Sequence, residues 1–448
     1  MKGVALTRNM RRIPRGVATL AVTMLLLFGT TIVAFYLNRG LLFEQKTAAN
    51  QLRSTSAFEA AEAGLEWATG MLNRPSDITT NCTLLNTTNI SFRKKYVQSA
   101  WNAASSPTSS VVVANPIQPV GCYLDVANNA NPVCSCQDVA TTATNTLLNP
   151  VSPMPAFTVS FAPVAGDDLS VEVTSIGCNA VTGACTAAAA AATAAATAGS
   201  SDATATVRAI LKFKRILRAA PAAALTCGGS CNPAANGNFN VSNFDSSVNG
   251  VTVNSGTTAN VQYTGPGAIG TIPGIPPQNS IIAGDLSLQD IRNSDPTCTN
   301  DKMFGAYFGS TIAEFQNAPA TVTVTNKTDF EAKYGDGYRS FYFPSGANLQ
   351  GGWSIPTVGT QNDPVTIVVN GGDLRINSTI NVYGLIFSDN ASAGAIGTGS
   401  SVINGALVTC NDFSSNGNGA ITYDGKALTN VQLTTASMVR VPGSWRDR

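Results

Sequence analysis

Val17 to Leu37 is a run of 21 residues without a charged side chain. At about 1.5 Å per residue, a helix of that length crosses the ~30 Å hydrocarbon core of a bilayer. The pattern then turns polar without a proline. Phe58, Ala61, Leu65, Ala68 and Leu72 recur at steps of three and four, one stripe on a helix face. Glu59, Glu62 and Glu66 fall on other faces, and Gly40 and Gly64 are the weak points of the helix. Asn73-Arg74-Pro75 predicts its end, because the residue before proline is pushed out of the α region. Unbroken from Val17 to Asn73, the helix is about 85 Å long. One part is predicted to lie in lipid or against neighbouring helices, another part can pack on the chain's own domain, and the stripe is read as a packing surface for other subunits.

Beyond the helix the period shifts. Residues 76–156 are rich in Asn, Ser and Pro, with one predicted helix around Ser91–Trp101. Phe157–Phe161 and Leu169–Thr174 read as strands. In Thr204–Leu217, Val207, Ala209, Leu211 and Phe213 alternate with Arg208, Lys212 and Lys214, the signature of a strand with one buried face. Residues 186–198 are almost wholly Ala and Thr, and Ala219-Ala220-Pro221-Ala222 reads as a linker. The second half is different. Ile281–Leu286, Val365–Val369, Ile380–Phe387, Ser401–Val408 and Ala420–Asp424 are short apolar pieces separated by Gly and Asn. Short strands, tight turns and small residues predict a β-solenoid, with a β-sandwich as the alternative. Lys302–Gln316 reads as a helix on that domain.

Charge sets the orientation. The sixteen residues before the apolar run hold Lys2, Arg8, Arg11, Arg12 and Arg15 and no acid, which predicts a cytoplasmic N-terminus and export of the rest. A cleaved secretory signal would have an apolar region of about 7–15 residues and a small-residue cleavage site. This run is longer and ends in Phe35-Tyr36-Leu37-Asn38-Arg39. Over the whole chain of 448 residues only 12% are charged and the net charge is +1. Without residues 1–16 the net charge is −4, with 22 basic against 26 acidic residues, so no nucleic-acid partner is expected.

All ten cysteines lie beyond the apolar run, and an even number in an oxidising compartment predicts disulfides. Close spacing favours Cys178–Cys185 and Cys227–Cys231. Cys122 has Cys134 and Cys136 as candidate partners, and Cys298–Cys410 would be a long clasp. With no histidine in the chain, Ser-His-Asp and Cys-His catalysis are excluded and a zinc knuckle is disfavoured. Asp285, Asp290, Asp373, Asp389 and Asp412 are scattered and mostly in turn contexts, where Asp is ordinary. Gly371-Gly372-Asp373 is not a phosphate loop, having neither a following helix nor Lys-Ser/Thr. The expectation is therefore a non-enzymatic chain without catalytic, cofactor or metal residues. Trp353, Tyr383 and Trp445 are candidate binding aromatics, but core or turn roles are the more ordinary reading.

Arg15-Gly16 before the apolar run, and FEQKTAANQLRSTSAFEAAEAGLEWA at 43–68, resemble the N-terminal region of PilX-type minor pilins of type IV pili. Val441-Pro442-Gly443-Ser444-Trp445-Arg446-Asp447 resembles the ending of larger PilX-like proteins. The resemblance covers roughly 55 residues at the N-terminus. It implies prepilin peptidase cleavage after Gly16, with Val17 as the mature N-terminus. It also implies an α+β fold: a long transmembrane and stalk helix, a pilin-like antiparallel sheet, then the Gly/Asn-rich β domain. The expected division is a cytoplasmic leader (1–16), a transmembrane part (17–37), a periplasmic continuation (38–74), a pilin-like domain (75–218), a linker (219–226) and the β-rich domain (227–448). One departure stands out: typical major pilins carry Glu at the fifth mature position, and here it is Ala21. The implied role is a minor pilin that initiates assembly or caps the filament tip. A tip adhesin and an anchored polysaccharide-degrading enzyme are the alternatives. Implied partners are other minor and major pilins, a large tip adhesin, the inner membrane and prepilin peptidase. The final location would be the pilus tip.

Overall fold

The computed structural model describes residues 15–83, 91–97, 120–125, 131–136, 154–180, 203–233, 238–258, 269–396, 399–415 and 417–447. Its first element is the long helix expected from the sequence, α1, Arg15–Asn73. The helix ends where Pro75 forbids continuation. A short helix α2 follows, Phe92–Tyr96, inside the segment where one was expected.

The C-terminal part of α1 lies on an antiparallel sheet. Its strands are β1 (Val120–Asp125), β2 (Asn131–Ser135), β3 (Ala156–Val164), β4 (Asp167–Cys178) and β5 (Thr204–Lys214), in spatial order β2-β1-β3-β4-β5. The alternation read in β5 is realised: Val207, Ala209 and Leu211 are fully buried under α1, with Phe213 beside them. The β1–β2 hairpin was not foreseen, because it sits in a stretch with little apolar periodicity.

Among the described residues the second half of the chain forms fifteen strands, most of them short, and every paired ladder among them is parallel. They are β6 (Leu225–Cys227), β7 (Cys231–Asn232), β8 (Asn240–Asn243), β9 (Val253–Ser255), β10 (Ile269–Thr271), β11 (Ile281–Ala283), β12 (Thr321–Thr323), β13 (Ser340–Phe343), β14 (Ala347–Asn348), β15 (Thr357–Val358), β16 (Val365–Arg375), β17 (Asn381–Ile396), β18 (Val402–Thr409), β19 (Phe413–Ser415) and β20 (Ala420–Thr422). The main run is β12-β13-β16-β17-β18-β20-β8-β10. Ser340 lies beside Thr366, Thr366 beside Leu385 and Leu385 beside Ala406, so each neighbouring strand comes one short excursion of chain later.

Gly384 and Gly405 sit opposite each other at φ 143° and 144°, and a Cβ on Gly384 would stand 1.8 Å from the Val365 carbonyl oxygen. Only glycine permits that approach. Helices α3 (Leu286–Ser294), α4 (Lys302–Phe308), α5 (Ile312–Gln316) and α6 (Lys327–Gly335) interrupt the strands. The first two of the helical pieces within Lys302–Gln316 replace the single helix expected there, broken by Gly309 at φ 65°. Phe304 and Phe308 turn inward to meet Phe387 of β17, with ring centroids of Phe304 and Phe387 5.1 Å apart, and Phe315 packs edge-on against both. Helix α7, Gly425–Thr434, closes this part.

The last residues depart from the expected division. β21 (Ser437–Arg440) and β22 (Arg446–Asp447) leave the parallel strands and pair antiparallel with β5 of the first sheet. The chain end expected within 227–448 as part of the β-rich domain therefore completes the first sheet, because Met438 and Ala436 supply apolar cover for its core.

The disulfides sort the cysteine alternatives. Cys122 faces Cys134 across the β1–β2 ladder and bonds to it. Cys136 bonds instead to Cys82, tying the chain after α1 to the end of β2. Cys227–Cys231 is a local pair, and Cys298–Cys410 clasps the loop after α3 to the end of β18 across 112 residues. Cys178 is disulfide-bonded, while its expected partner Cys185 and the Ala/Thr run at 186–198 lie outside the described residues.

Candidate assembly surface

Every described side chain of α1 from Ala18 to Leu52 is exposed. Phe35 and Tyr36 are each 77% exposed, and Ala18–Leu37 has a mean hydropathy of 2.2. Apolar surface on that scale is not left in water. By length and composition the helix is one that can cross a membrane. Gly16 and Val17, the expected processing site, lie in the first turn of this helix.

The stripe expected to pack on other subunits is covered within the protein. Ala61, Ala68 and Leu72 are fully buried and Leu65 nearly so, all against β3, β4 and β5, while Phe58 is half-buried at the rim. A sheet with one apolar face needs a cover, and the nearest apolar stripe in the chain supplies it. The approach is close. A Cβ on Gly177 would stand 2.1 Å from the Ala57 carbonyl oxygen, and one on Gly64 would stand 2.3 Å from Ser175 Oγ. Gly64, which counts against a helix by propensity, is thus where the helix comes down on the Ser175 and Phe157 side chains, and the two backbones meet at Gly177. Surface left for other subunits on this part of α1 carries Glu59, Glu62 and Glu66, all exposed.

The chain end grips the same helix. Asn73, the last residue of α1, donates its amide to the Met438 carbonyl at 2.9 Å and accepts the Met438 N–H at 2.7 Å. Arg440 donates to Glu66 at 2.5 Å, and Trp445 meets Phe58 edge-on at 6.4 Å. Ser444 Oγ accepts the Ile210 N–H, and Arg446 pairs with Glu172. Trp445, a candidate binding aromatic, therefore has a packing role against the stalk. Sequence reasoning missed these contacts because they join residues 234 or more positions apart.

α2 wedges between the two sheets. Arg93 is buried and donates to the carbonyls of Ala436 and Thr434 at 2.5 and 2.8 Å. Burial pulls its guanidinium down to about 10, with Asp363 opposing. Lys94 pairs with Asp363 at 2.9 Å, and Arg339 reaches the same oxygen at 2.9 Å. Burial raises the Asp363 carboxyl, but Lys94 and Arg339 outweigh it and hold it below the usual carboxylate value.

The scattered carboxylates stay apart. Asp285 caps α3 by accepting the Ser287 N–H, Asp290 is exposed, and Asp373 accepts from Asn390. Asp412 accepts the Ser230 N–H and pairs with Arg292. Asp389 accepts the Gly371 N–H, and its burial pushes its carboxyl up to about 6. Among the described residues no three acids or cysteines come together as a metal cage. Tyr383 lies within β17 and is half-buried.

A family model described as PilX N-terminal matches residues 15–66, the anchor and most of the stalk. No curated protein matches the chain. A crystal structure of the competence-associated pilin ComZ from Thermus thermophilus aligns at 12% identity over 88% of this chain and 97% of that one. Its TM-score is 0.21, at which the likeness carries no argument. The segment whose exposed apolar half and buried stripe have just been described is thus similar to the N-terminal region of PilX-type pilins.

Proposed function

We propose that this protein is a minor pilin that sits at a rare position in a type IV pilus, at the tip or in an initiating complex. The observation that carries the reading is α1 itself: one continuous helix, fully exposed and apolar at its start, gripped by a folded head at its end. In this reading the leader 1–16 is cytoplasmic and is cut after Gly16. Residues 17–37 anchor the chain in the inner membrane before assembly, and 38–74 carry the head outward. Ala21 bears on position. A Glu there would neutralise the N-terminal amine of an adjoining subunit inside an apolar bundle, where an unpaired charge is costly. Without it, the chain is poorly suited to being the repeating subunit.

We read the second half as a β-solenoid and a non-enzymatic display domain. Its support is the parallel pairing of every ladder, since the sheets of a sandwich are antiparallel. A head with two sheets would crowd a filament wall if repeated, so it belongs near an end, beside other pilins and a tip adhesin. Two measurements test this. Intact mass of the protein from cells with prepilin peptidase should begin at Val17, and Gly16→Leu should retain the leader. Gold label on the head should mark the ends of sheared pili. Even spacing along the shaft would rule out the rare position, and an uncut wild-type chain would rule out processing.

A further inference from the structure

We propose that the parallel-strand half carries a binding groove for a neutral polysaccharide, formed by stacked turns around Trp353. The groove has a volume of about 540 Å³. Its floor comes from three separate passes of the chain: Gly351–Pro356 after β14, Asn377–Thr379 between β16 and β17, and Gly399 between β17 and β18. These passes are in contact. The Gly351 N–H reaches the Asn377 carbonyl, Ser378 Oγ donates to the Gly351 carbonyl at 3.1 Å, and a Cβ on Gly399 would stand 1.7 Å from the Ser378 carbonyl oxygen. Neighbouring strands are about 4.8 Å apart, so three passes give a trough on the order of 10 Å long. A trough along a stack fits an extended polymer better than a compact metabolite.

The lining selects the chemistry. No charged side chain lines the groove. The two charges nearest to it are already engaged: Lys327 Nζ donates to the Gly352 carbonyl, and Glu331 accepts the Ser354 N–H at 2.7 Å. What faces solvent is neutral and hydroxylated. Ser354 and Thr379 are exposed, and neither hydroxyl is used within the described protein. Trp353 is half-buried, packed edge-on with Phe330 at 5.8 Å and with Lys327 Nζ 5.8 Å from its ring centroid, and so offers a rigid aromatic wall. Trp353 Nε1 and Asn377 Oδ1, behind that wall, find no hydrogen-bond partner in the protein. An aromatic surface beside a few uncommitted polar groups is how concave sites orient a ligand with both apolar and hydroxyl faces. A sugar ring has both, and Lys327, the cation beside Trp353, is committed to the Gly352 carbonyl, which favours a neutral glycan over an acidic one.

Affinity electrophoresis tests this with the full-length protein, in a detergent lacking a sugar headgroup. Native gels would contain dextran, galactomannan or hydroxyethylcellulose as neutral probes and alginate as the acidic one. At least one neutral polymer should cut mobility by twofold or more, and alginate should not. Trp353→Ala should restore mobility. Because Trp353 also packs on Phe330, Gly352→Trp provides the independent variant: a Cβ there meets nothing within 4 Å, so the side chain fills the groove without disturbing the fold. Restored mobility in Gly352→Trp, with an unchanged thermal transition, supports the groove. Retardation by none of the neutral polymers, retardation by alginate alone, or full retention of binding in Gly352→Trp overturns it.

Discussion

At Gly177 the space for a side chain is already occupied by the α1 backbone at Ala57 and Ala61. Gly177→Val should therefore force helix and sheet apart. Overpacking of a tight core costs about 1–3 kcal/mol, and here the opposing atoms are backbone, so the upper end is expected. A lowered thermal midpoint in circular dichroism checks this, and an unchanged midpoint would mean the helix rides farther from the sheet. Asp389 makes a second residue-scale prediction, with a sign set by linkage. Its folded pKa is raised to about 6 from an ordinary 3.8. The folded state thus holds a proton that the unfolded state has released, so stability falls as pH rises from about 4 to about 6. Asp389→Asn removes that loss, and Asn can still accept the Gly371 N–H. Stability at pH 7 should rise by about 1–3 kcal/mol while stability at pH 4 stays level. Urea titrations at the two pH values measure it. An equal change at both would refute the burial account.

At the scale of elements, the stripe on α1 holds the stalk to its own sheet. Leu65→Asp puts a charge where the side chain is 1% exposed. Losing that burial and stranding a carboxylate should cost more than about 3 kcal/mol. The first sheet should open before the second, because only the first uses α1 as its cover. Protease digestion of the purified protein would show early cleavage in β3 to β5 with the region from β12 to β18 intact. Simultaneous cleavage of both would contradict it. The stripe was legible as a helix face from its spacing of three and four. Its partner was not, because spacing shows which side of a helix is apolar and not what covers it.

At the scale of the molecule, Asp363 holds Lys94 of the first unit and Arg339 of the second on one oxygen. The pair is partly buried, with Lys94 34% and Asp363 20% exposed, so breaking it from one side should cost less than the roughly 3–5 kcal/mol of a fully buried pair. Asp363→Ala should weaken the junction and split a single calorimetric transition into two. The same loss should set in for the wild type at acid pH. The folded pKa of Asp363 lies below its ordinary value, so this contribution is present above the ordinary carboxylate range and lost as pH falls through the folded pKa. A transition that stays single in Asp363→Ala would assign the coupling to the C-terminal strands instead.

The sequence by itself determined what depends on neighbours along the chain. The uncharged run, the stop at Pro75, the alternation in β5 and the short Gly-punctuated strands are local patterns, and each became the element its period implied. The close spacing of Cys227 and Cys231 sufficed in the same way. Tertiary structure alone decided what depends on distance along the chain. It brought Met438 to Asn73, sent Cys136 to Cys82 and seated Lys94 on Asp363. It also put Gly64 against Ser175, turning a poor helix residue into a point of close packing. The physical reason is the range of the forces. Backbone sterics and hydrophobic period act over a few residues and are written in order, whereas which surfaces meet is settled only when the whole chain buries its apolar faces together.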